Sequence, residues 1–421
     1  MEQILRRYNP WWEGEYRPPG IVRKDYLTRI DELLGSRRMV LLFGLRRIGK
    51  TTIMRQFIAE RVAKKGSKNV LFISLDNPVL RNVPLLDVLD TYRSLFGLGR
   101  EQTVLMVIDE VQTREGFEAE LKTIYDMEEN VELLAAGSNS LLIKHKTGAL
   151  VGRYGRVRVD PLSFDEFLLF RGVEVKGSET YLLMNLLEEY LETGGIPEYV
   201  LHRDPSYVED VVEDIIYKDI VPRYGIKDIR KLKDLFHLLC NRSGRRMTNS
   251  RIARILELSH ETVSSYISHF EESFLVSIIE KDGTPSQRKR SPKKVYIADQ
   301  GILTIIGNVF EKGPRAENLV YLHLRDLGDV RYIEEQGKEI DFLVNNFRVE
   351  VKYRDHITLD DLPGNGLRKN AGLMVITKGR TELEGVKCVT LLELVQGKVY
   401  LGSKERTRIG KQFHGFNMFW V

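Results

Sequence analysis

The sequence predicts an α/β protein: a mainly parallel sheet first, then a helical segment, then a helix-turn-helix with a wing, and finally a second α/β region. Three observations predict it. Five short apolar runs, "RRMVLLFG", "NVLFISL", "TVLMVIDE", "VELLAAGS" and "GRVRVDPL", lie between helical or polar stretches before residue 163. Continuous apolar strands alternating with helices belong to a parallel sheet covered on both faces. After "PLSFDEFLLFRG" the pattern becomes helical, with apolar residues three and four apart in "ETYLLMNLLEEYLETGG" and "SYVEDVVEDIIYKDIV". Beyond residue 293, β-like runs return around one helix, "RAENLVYLHLRDLG".

A chain of 421 residues suggests two to four domains at roughly 100 to 200 residues each. The expected division is 1–165 for a core with an N-terminal extension, 166–240 for a helical lid, 241–285 for the winged helix, 286–293 for a basic linker, and 294–421 for the last domain. No apolar run approaches the ~20 residues that cross a bilayer, so no membrane partner is expected. The N-terminus "MEQILRRYNPWWEGEYRPPG" lacks the apolar centre of a secretory leader, and the cysteines are two, Cys240 and Cys388; both features predict a reducing cytoplasm. Lys plus Arg number 64 against 60 Asp plus Glu, a balance that does not by itself identify a nucleic-acid binder. None of the eight histidines stands at zinc-ligand spacing, so no zinc site is expected.

The first apolar run leads directly into Gly44-Leu45-Arg46-Arg47-Ile48-Gly49-Lys50-Thr51-Thr52 and then a helical pattern. This is G-x-x-x-x-G-K-[ST] in its strand-loop-helix context. The loop's N–H groups would close around phosphate oxygens at a helix N-terminus, Lys50 would neutralise β- and γ-phosphates, and Thr51 would hold Mg²⁺. "TVLMVIDE" ends in Asp109, expected on the same Mg²⁺, and Glu110, expected to polarise the attacking water. ATP and Mg²⁺ are therefore the expected ligands. Ser138 and Asn139 follow the fourth run, where Asn139 would reach the γ-phosphate or its water, or simply build a turn. Arg153 and Arg156 are candidates for an arginine finger, acting on a neighbouring subunit's nucleotide if the chain forms a homo-oligomer.

"MTNSRIARILELSHETVSSYISHF" reads as two short helices joined near Leu258 and Ser259, and the second puts Val263, Tyr266, Ile267 and Phe270 on one face. Its small polar face would fit a major groove. Two basic clusters flank it, Arg242, Arg245, Arg246, Arg251 and Arg254 before, and Arg288, Lys289, Arg290, Lys293 and Lys294 after. DNA phosphates are the expected partners, with protein contact as the rival use of the same fold. Trp11 and Trp12 would pack on the lid or on a neighbouring subunit.

In "KEIDFLVNNFRVEVKYR", Asp341 and Glu350 stand on two strands of a predicted hairpin, and Lys352 shares a face with Glu350. Two carboxylates with a lysine, completed by Glu317 from the upstream helix, would hold Mg²⁺ and activate water against a phosphodiester. A charged strand pair without catalysis is the competing reading.

The phosphate loop, the "DE" strand, "GSNS", "LVGR" and "PLSFDEF" together resemble the AAA+-like P-loop ATPases of archaea and bacteria. "GGIPEYV", "YKDIV" and "YIADQGIL" extend the resemblance along the chain. It implies an ATPase core, a helical lid, a winged helix and a restriction-endonuclease-like C-terminal domain. The order Glu317, Asp341, Glu350, Lys352 is similar to the PD-(D/E)xK nuclease superfamily. The resulting expectation is an ATPase that binds DNA, nucleotide state repositioning a nuclease-like domain; the alternative is a nucleotide-dependent regulatory or scaffolding protein whose nuclease-like domain is inactive.

Overall fold

A computed structural model of the chain describes residues 1–138, 152–174, 180–335, 337–363, 373–401 and 407–409. Backbone contacts gather it into two compact units, Met1–Asp160 with Glu272–Phe274, and Pro161–Glu271 with Leu275–Val421.

The first unit is built on five parallel strands, β1 (Met39–Phe43), β2 (Val70–Ser74), β3 (Val104–Asp109), β4 (Val131–Gly137) and β5 (Tyr154–Arg158), in the order β2-β3-β4-β1-β5. The expected parallel sheet is present, and every residue of β1 and β3 is buried because helices cover both faces. β4 lies between the phosphate-loop strand and the acidic strand. Helices α1 (Glu2–Tyr8), α2 (Lys24–Gly35), α3 (Lys50–Lys65), α4 (Leu85–Phe96) and α5 (Phe117–Met127) surround the sheet.

The two tryptophans have a place within this unit. β2 is an edge strand, and unpaired edge groups invite pairing with other chains. Asn9 closes that edge by donating from Nδ2 to the Phe72 carbonyl (2.9 Å) and accepting from the Phe72 N–H (2.6 Å). The indole N–H groups of Trp11 and Trp12 both donate to the Val70 carbonyl, at 3.1 and 2.9 Å. Trp12 also stacks on Tyr92 of α4. A side-chain amide and two indoles thus bond to the free edge of β2.

In the second unit α6 (Phe164–Phe170) begins with a capping box, Ser163 and Glu166 each bonding the other's backbone N–H. It is followed by α7 (Thr180–Thr193), α8 (Ile229–Asn241), α9 (Asn249–Leu256) and α10 (His260–Glu272). A six-residue π-helix at Ile215–Ile220 stands just before Pro222, whose missing N–H breaks the α-helical ladder there. β6 (Val276–Ile279) pairs antiparallel with β7 (Lys294–Ile297). Between them the segment expected as a basic linker forms α11 (Pro285–Arg290), capped by Thr284 and Gln287. The basic run therefore belongs to the connection within this strand pair, and the backbone of Lys294 faces Ile279 across it.

After α12 (Gln300–Ile305) and α13 (Lys312–Leu324), β8 (Arg331–Glu335), β9 (Lys338–Val344), β10 (Phe347–Lys352), β11 (Leu373–Thr377) and β12 (Lys387–Thr390) form a mixed sheet in the order β12-β11-β10-β9-β8. The expected hairpin across Asn345 and Asn346 is present, both asparagines adopting positive φ. Phe164 and Phe167 of α6, Leu187 and Leu191 of α7, Leu319 and Val320 of α13, and Phe342 and Val349 of the sheet share one core. The helices expected as a lid thus contribute their apolar stripes to the core of this sheet.

Candidate functional site

The sheet of the first unit ends its strands at one edge, and the phosphate loop follows β1 there. Gly44 lets the loop leave the sheet because a Cβ at that position would lie 2.2 Å from the Val159 carbonyl oxygen. Gly49, at φ +95°, turns the chain into α3. Leu45 and Ile48 are buried, Arg46 is half-buried, Arg47 is exposed at φ +58°, and Thr52 lies in the first turn of α3. Lys50 is buried, and its ammonium donates to the carbonyls of Gly44 (2.9 Å) and Leu45 (2.8 Å). The side chain is thereby held across the loop's own concavity.

The Thr51 hydroxyl donates to Asp109 Oδ2 at 2.6 Å, and the Glu110 N–H donates to Asp109 Oδ1 at 2.9 Å. Burial and the neighbouring Glu110 charge push the Asp109 carboxyl up to about 6, against the opposing pull of Thr51 and Lys50. A buried carboxylate beside a hydroxyl is a hard-oxygen donor set, which fits a magnesium ion. Glu110 sits at φ +55°, a left-handed conformation costly for a non-glycine residue and one that redirects its side chain.

Two further residues bond to these elements. Gln112 donates from Nε2 to the Glu110 carboxylate and to Ser138 Oγ (3.1 Å), joining the ends of β3 and β4. Arg23 is buried ahead of α2, and its guanidinium donates to the carbonyls of Ile48 (3.3 Å) and Asp160 (3.0 Å). It braces the phosphate loop against the chain that leaves β5. Asn139 lies outside the described residues. Arg153 pairs with Asp126 Oδ1 at 2.9 Å at the start of β5, the sheet end opposite to the phosphate loop. Arg156 is exposed and lies over the Tyr154 ring. Neither arginine is brought to the phosphate loop of its own chain.

The second unit does bring Glu317, Asp341, Glu350 and Lys352 together. The Asp341 N–H donates to Glu350 Oε2 (3.2 Å), the Val351 N–H to Asp341 Oδ2 (3.0 Å), and Lys352 Nζ to Glu350 Oε1 (2.7 Å). Tyr296 Oη donates to Glu317 Oε1 at 2.8 Å. Burial and the Asp341 charge push both Glu317 and Glu350 up to about 7. A further cation stands among them. Lys294, expected to meet DNA phosphate, is 1% exposed, and its ammonium reaches Glu317 Oε1 (3.1 Å), Asp341 Oδ1 (3.2 Å) and Glu339 Oε1 (2.7 Å). Among the described residues no group of three or more acidic, histidine or cysteine side chains is arranged to hold a metal ion. Lys294 holds one oxygen each of Glu317 and Asp341, and Lys352 one of Glu350, so the Mg²⁺ expected on these three carboxylates would meet two ammonium groups.

The basic clusters are also narrower than the sequence suggested. Arg246 pairs with Glu334 and Glu339, and Lys293 and Arg288 with Glu280. Arg245, Arg251, Arg254, Lys289 and Arg290 are exposed. On α10 the predicted face of Val263, Tyr266, Ile267 and Phe270 is buried, leaving Ser264 and Ser265 outward. His269 stacks on Tyr224. No helix among the described residues is long and apolar enough to cross a membrane.

Residues 36–168 match the family model described as an AAA domain, and residues 184–312 match a domain of unknown function (DUF8612). The first match runs from before β1 into α6 and takes in the phosphate loop and the acidic strand of the five-stranded parallel sheet. The chain is 26% identical to the uncharacterized protein MJ1544 of Methanocaldococcus jannaschii over 75% of its length and 74% of that protein. It is 27% identical to an uncharacterized protein of Haemophilus influenzae over 77% of its length and 83% of that protein. Among solved structures it is similar to the Walker-type ATPase PABY2304 of Pyrococcus abyssi, with 16% identity, TM-score 0.45, and coverage of 69% of this chain and 99% of that one. The Aeropyrum pernix ORC1 protein, solved in complex with DNA, is 13% identical at TM-score 0.35, covering 72% of this chain and 96% of that one.

Proposed function

We propose that the chain is a magnesium-dependent ATPase whose first unit performs the hydrolysis. The observation that carries this reading is the 2.6 Å contact between the Thr51 hydroxyl and the Asp109 carboxylate, directly beside Lys50 at the N-terminus of α3. Magnesium held by Thr51 and Asp109 would draw charge from the β- and γ-phosphate oxygens. Lys50 exchanges two loop carbonyls for phosphate oxygens, a stronger, charge-assisted pairing. Glu110, held by Gln112, which Ser138 accepts from in turn, orients a water in line with the γ-phosphorus and takes its proton. Phosphate release measured with and without Mg²⁺ tests the reading. Asp109→Asn should lower turnover at least about a hundredfold; a variant that hydrolyses ATP like the wild type would remove Asp109 from the reaction.

The second unit is proposed to contact duplex DNA through α10 and the strand pair β6–β7, a winged-helix reading that rests on the exposed Arg245, Arg251, Arg254, Lys289 and Arg290. On this reading β8 to β12 form a restriction-endonuclease-like domain that the nucleotide cycle repositions. The test is ATP turnover and DNA retention at two salt concentrations. Turnover blind to DNA, with no retention even at low salt, would overthrow it in favour of a regulatory or scaffolding protein. The pairing of Lys294 with Glu317, Glu339 and Asp341 favours an inactive nuclease-like domain in either case.

A further inference from the structure

The acid cluster of the second unit has the composition of a divalent-metal site, yet its centre is occupied by a side chain from a different element. Lys294 comes from β7, the strand that pairs with β6, whereas Glu317 comes from α13 and Glu339 and Asp341 from β9. An ammonium has three N–H donors. Lys294 spends one on each of Glu317 Oε1, Glu339 Oε1 and Asp341 Oδ1, at 3.1, 2.7 and 3.2 Å. The rings of Tyr332 and Phe342 flank it, with centroids 5.9 and 6.0 Å from Nζ. Three acceptors and two aromatic faces describe a cation-binding cage, and the cation is part of the chain. Gly244 belongs to the same cage: a Cβ there would meet Glu317 Oε1 at 2.8 Å.

The charges agree with the geometry. Burial would lower the Lys294 ammonium, but the charges of Glu317, Asp341 and Glu339 outweigh it and hold the group above the ordinary lysine range. A magnesium or manganese ion on Glu317 and Asp341 would bind at about 2.1 Å to carboxylates whose Oε1 and Oδ1 already accept from this ammonium, and would sit against its positive charge.

We propose that Lys294 is the resident cation of this cluster: its ammonium replaces the divalent metal, so that the C-terminal sheet carries an internally neutralised, metal-independent site that also ties β7 to α13 and β9. The inference goes beyond the ATPase reading and does not depend on it. It turns the resemblance of Glu317, Asp341, Glu350 and Lys352 to a nuclease site into a structural use of the same residues.

Mn²⁺ is the probe, titrated without nucleotide into the full-length chain carrying Asp109→Asn, which silences the phosphate-loop position. In that background, adding Asp341→Asn should leave Mn²⁺ binding unchanged. Lys294→Met should create one new Mn²⁺ equivalent, bound at least tenfold more tightly than any signal before it, and Asp341→Asn should abolish it. Mn²⁺ binding that Asp341→Asn removes while Lys294 is present would overturn the proposal, as would a folded Lys294→Met variant that gains no site. If Lys294→Met does not fold, the comparison with Lys294 present decides alone, supplemented by Glu350→Gln: insensitivity to both substitutions supports the ammonium, and sensitivity to either overturns it.

Discussion

Lys50 and Lys294 are both buried lysines beside carboxylates, one in each unit, and their partners separate them. Lys50 rests on two neutral carbonyls, those of Gly44 and Leu45. Lys294 rests on three carboxylates. A neutral acceptor yields to a phosphate oxygen, because a charge-assisted bond is roughly twice as strong. A carboxylate cage does not yield, since removing the ammonium strands several buried charges. Proximity of lysine to acid is therefore uninformative about chemistry. What decides is whether the lysine's present acceptors are weaker than those of the ligand it is meant to bind.

The contrast is broken most directly at Lys50. Lys50→Ala should lower ATP turnover at least about a thousandfold, the loss expected when a donor aimed at developing phosphate charge is removed. It should cost about 1–3 kcal/mol of stability, the penalty for leaving buried neutral acceptors unpaired, and less than stranding several carboxylates would. Phosphate release and urea denaturation on one preparation read both numbers. Turnover within tenfold of wild type would unseat the phosphate-loop assignment, and a large stability loss would erase the difference between the two lysines.

Lys294→Ala should do the reverse to stability, costing about 3–5 kcal/mol, the range for breaking a buried ion pair by removing one partner. The urea midpoint of the second unit's transition is the measurement. A loss below about 1 kcal/mol would mean that the cage relaxes without its cation, and the two lysines would then be alike.

Asp299 sharpens the contrast from the acid side, because it is buried with backbone donors and no lysine among its contacts. Its carboxylate accepts from the N–H groups of Gly195 (2.6 Å) and Gly301 (2.7 Å), which ties the turn at Gly194 and Gly195 to α12. Burial, outweighing those bonds, pushes it up to about 6 from an ordinary 3.8. A carboxyl whose folded value is raised favours the native state while protonated, so its contribution is complete below about pH 4 and is lost as pH rises through about 6. Relative to Asp299→Asn, the wild type should lose about 3 kcal/mol over that window. Parallel denaturation curves at pH 4 and pH 7 test this, and a gap that does not change with pH would show that the backbone donors neutralise the burial.

The two lysines also show how much of the molecule was legible in the sequence. The strand-loop-helix around Lys50 and the strand ending at Asp109 were legible because that motif is contiguous in sequence. The five parallel strands and the hairpin of β9 and β10 were equally visible in apolar runs and the Asn-Asn turn. Lys294 was counted in a basic cluster because its role depends on β7 pairing with β6, and pairing partners are not written locally. Arg23 and the tryptophans act across long sequence separations on the loop and on the β2 edge, where composition gives no signal. The helical segment looked like a separate lid, since periodicity shows an apolar stripe without naming the surface that covers it.

Gln112 carries the smallest expected effect and the most specific one. It stands two residues after Glu110, and with Glu110 in a left-handed turn its amide reaches back to that carboxylate and across to Ser138. A side chain that only aims the base should affect the chemical step and leave nucleotide binding alone. Gln112→Ala should therefore lower kcat about tenfold, with KM for ATP within about twofold of wild type, the signature of a misplaced base. Steady-state phosphate release over a range of ATP concentrations separates the two parameters. Gln112→Asn, which keeps the amide but shortens its reach, should fall between. A change confined to KM would place Gln112 on the nucleotide instead of on Glu110, and an unchanged kcat would show that the left-handed turn alone holds the base.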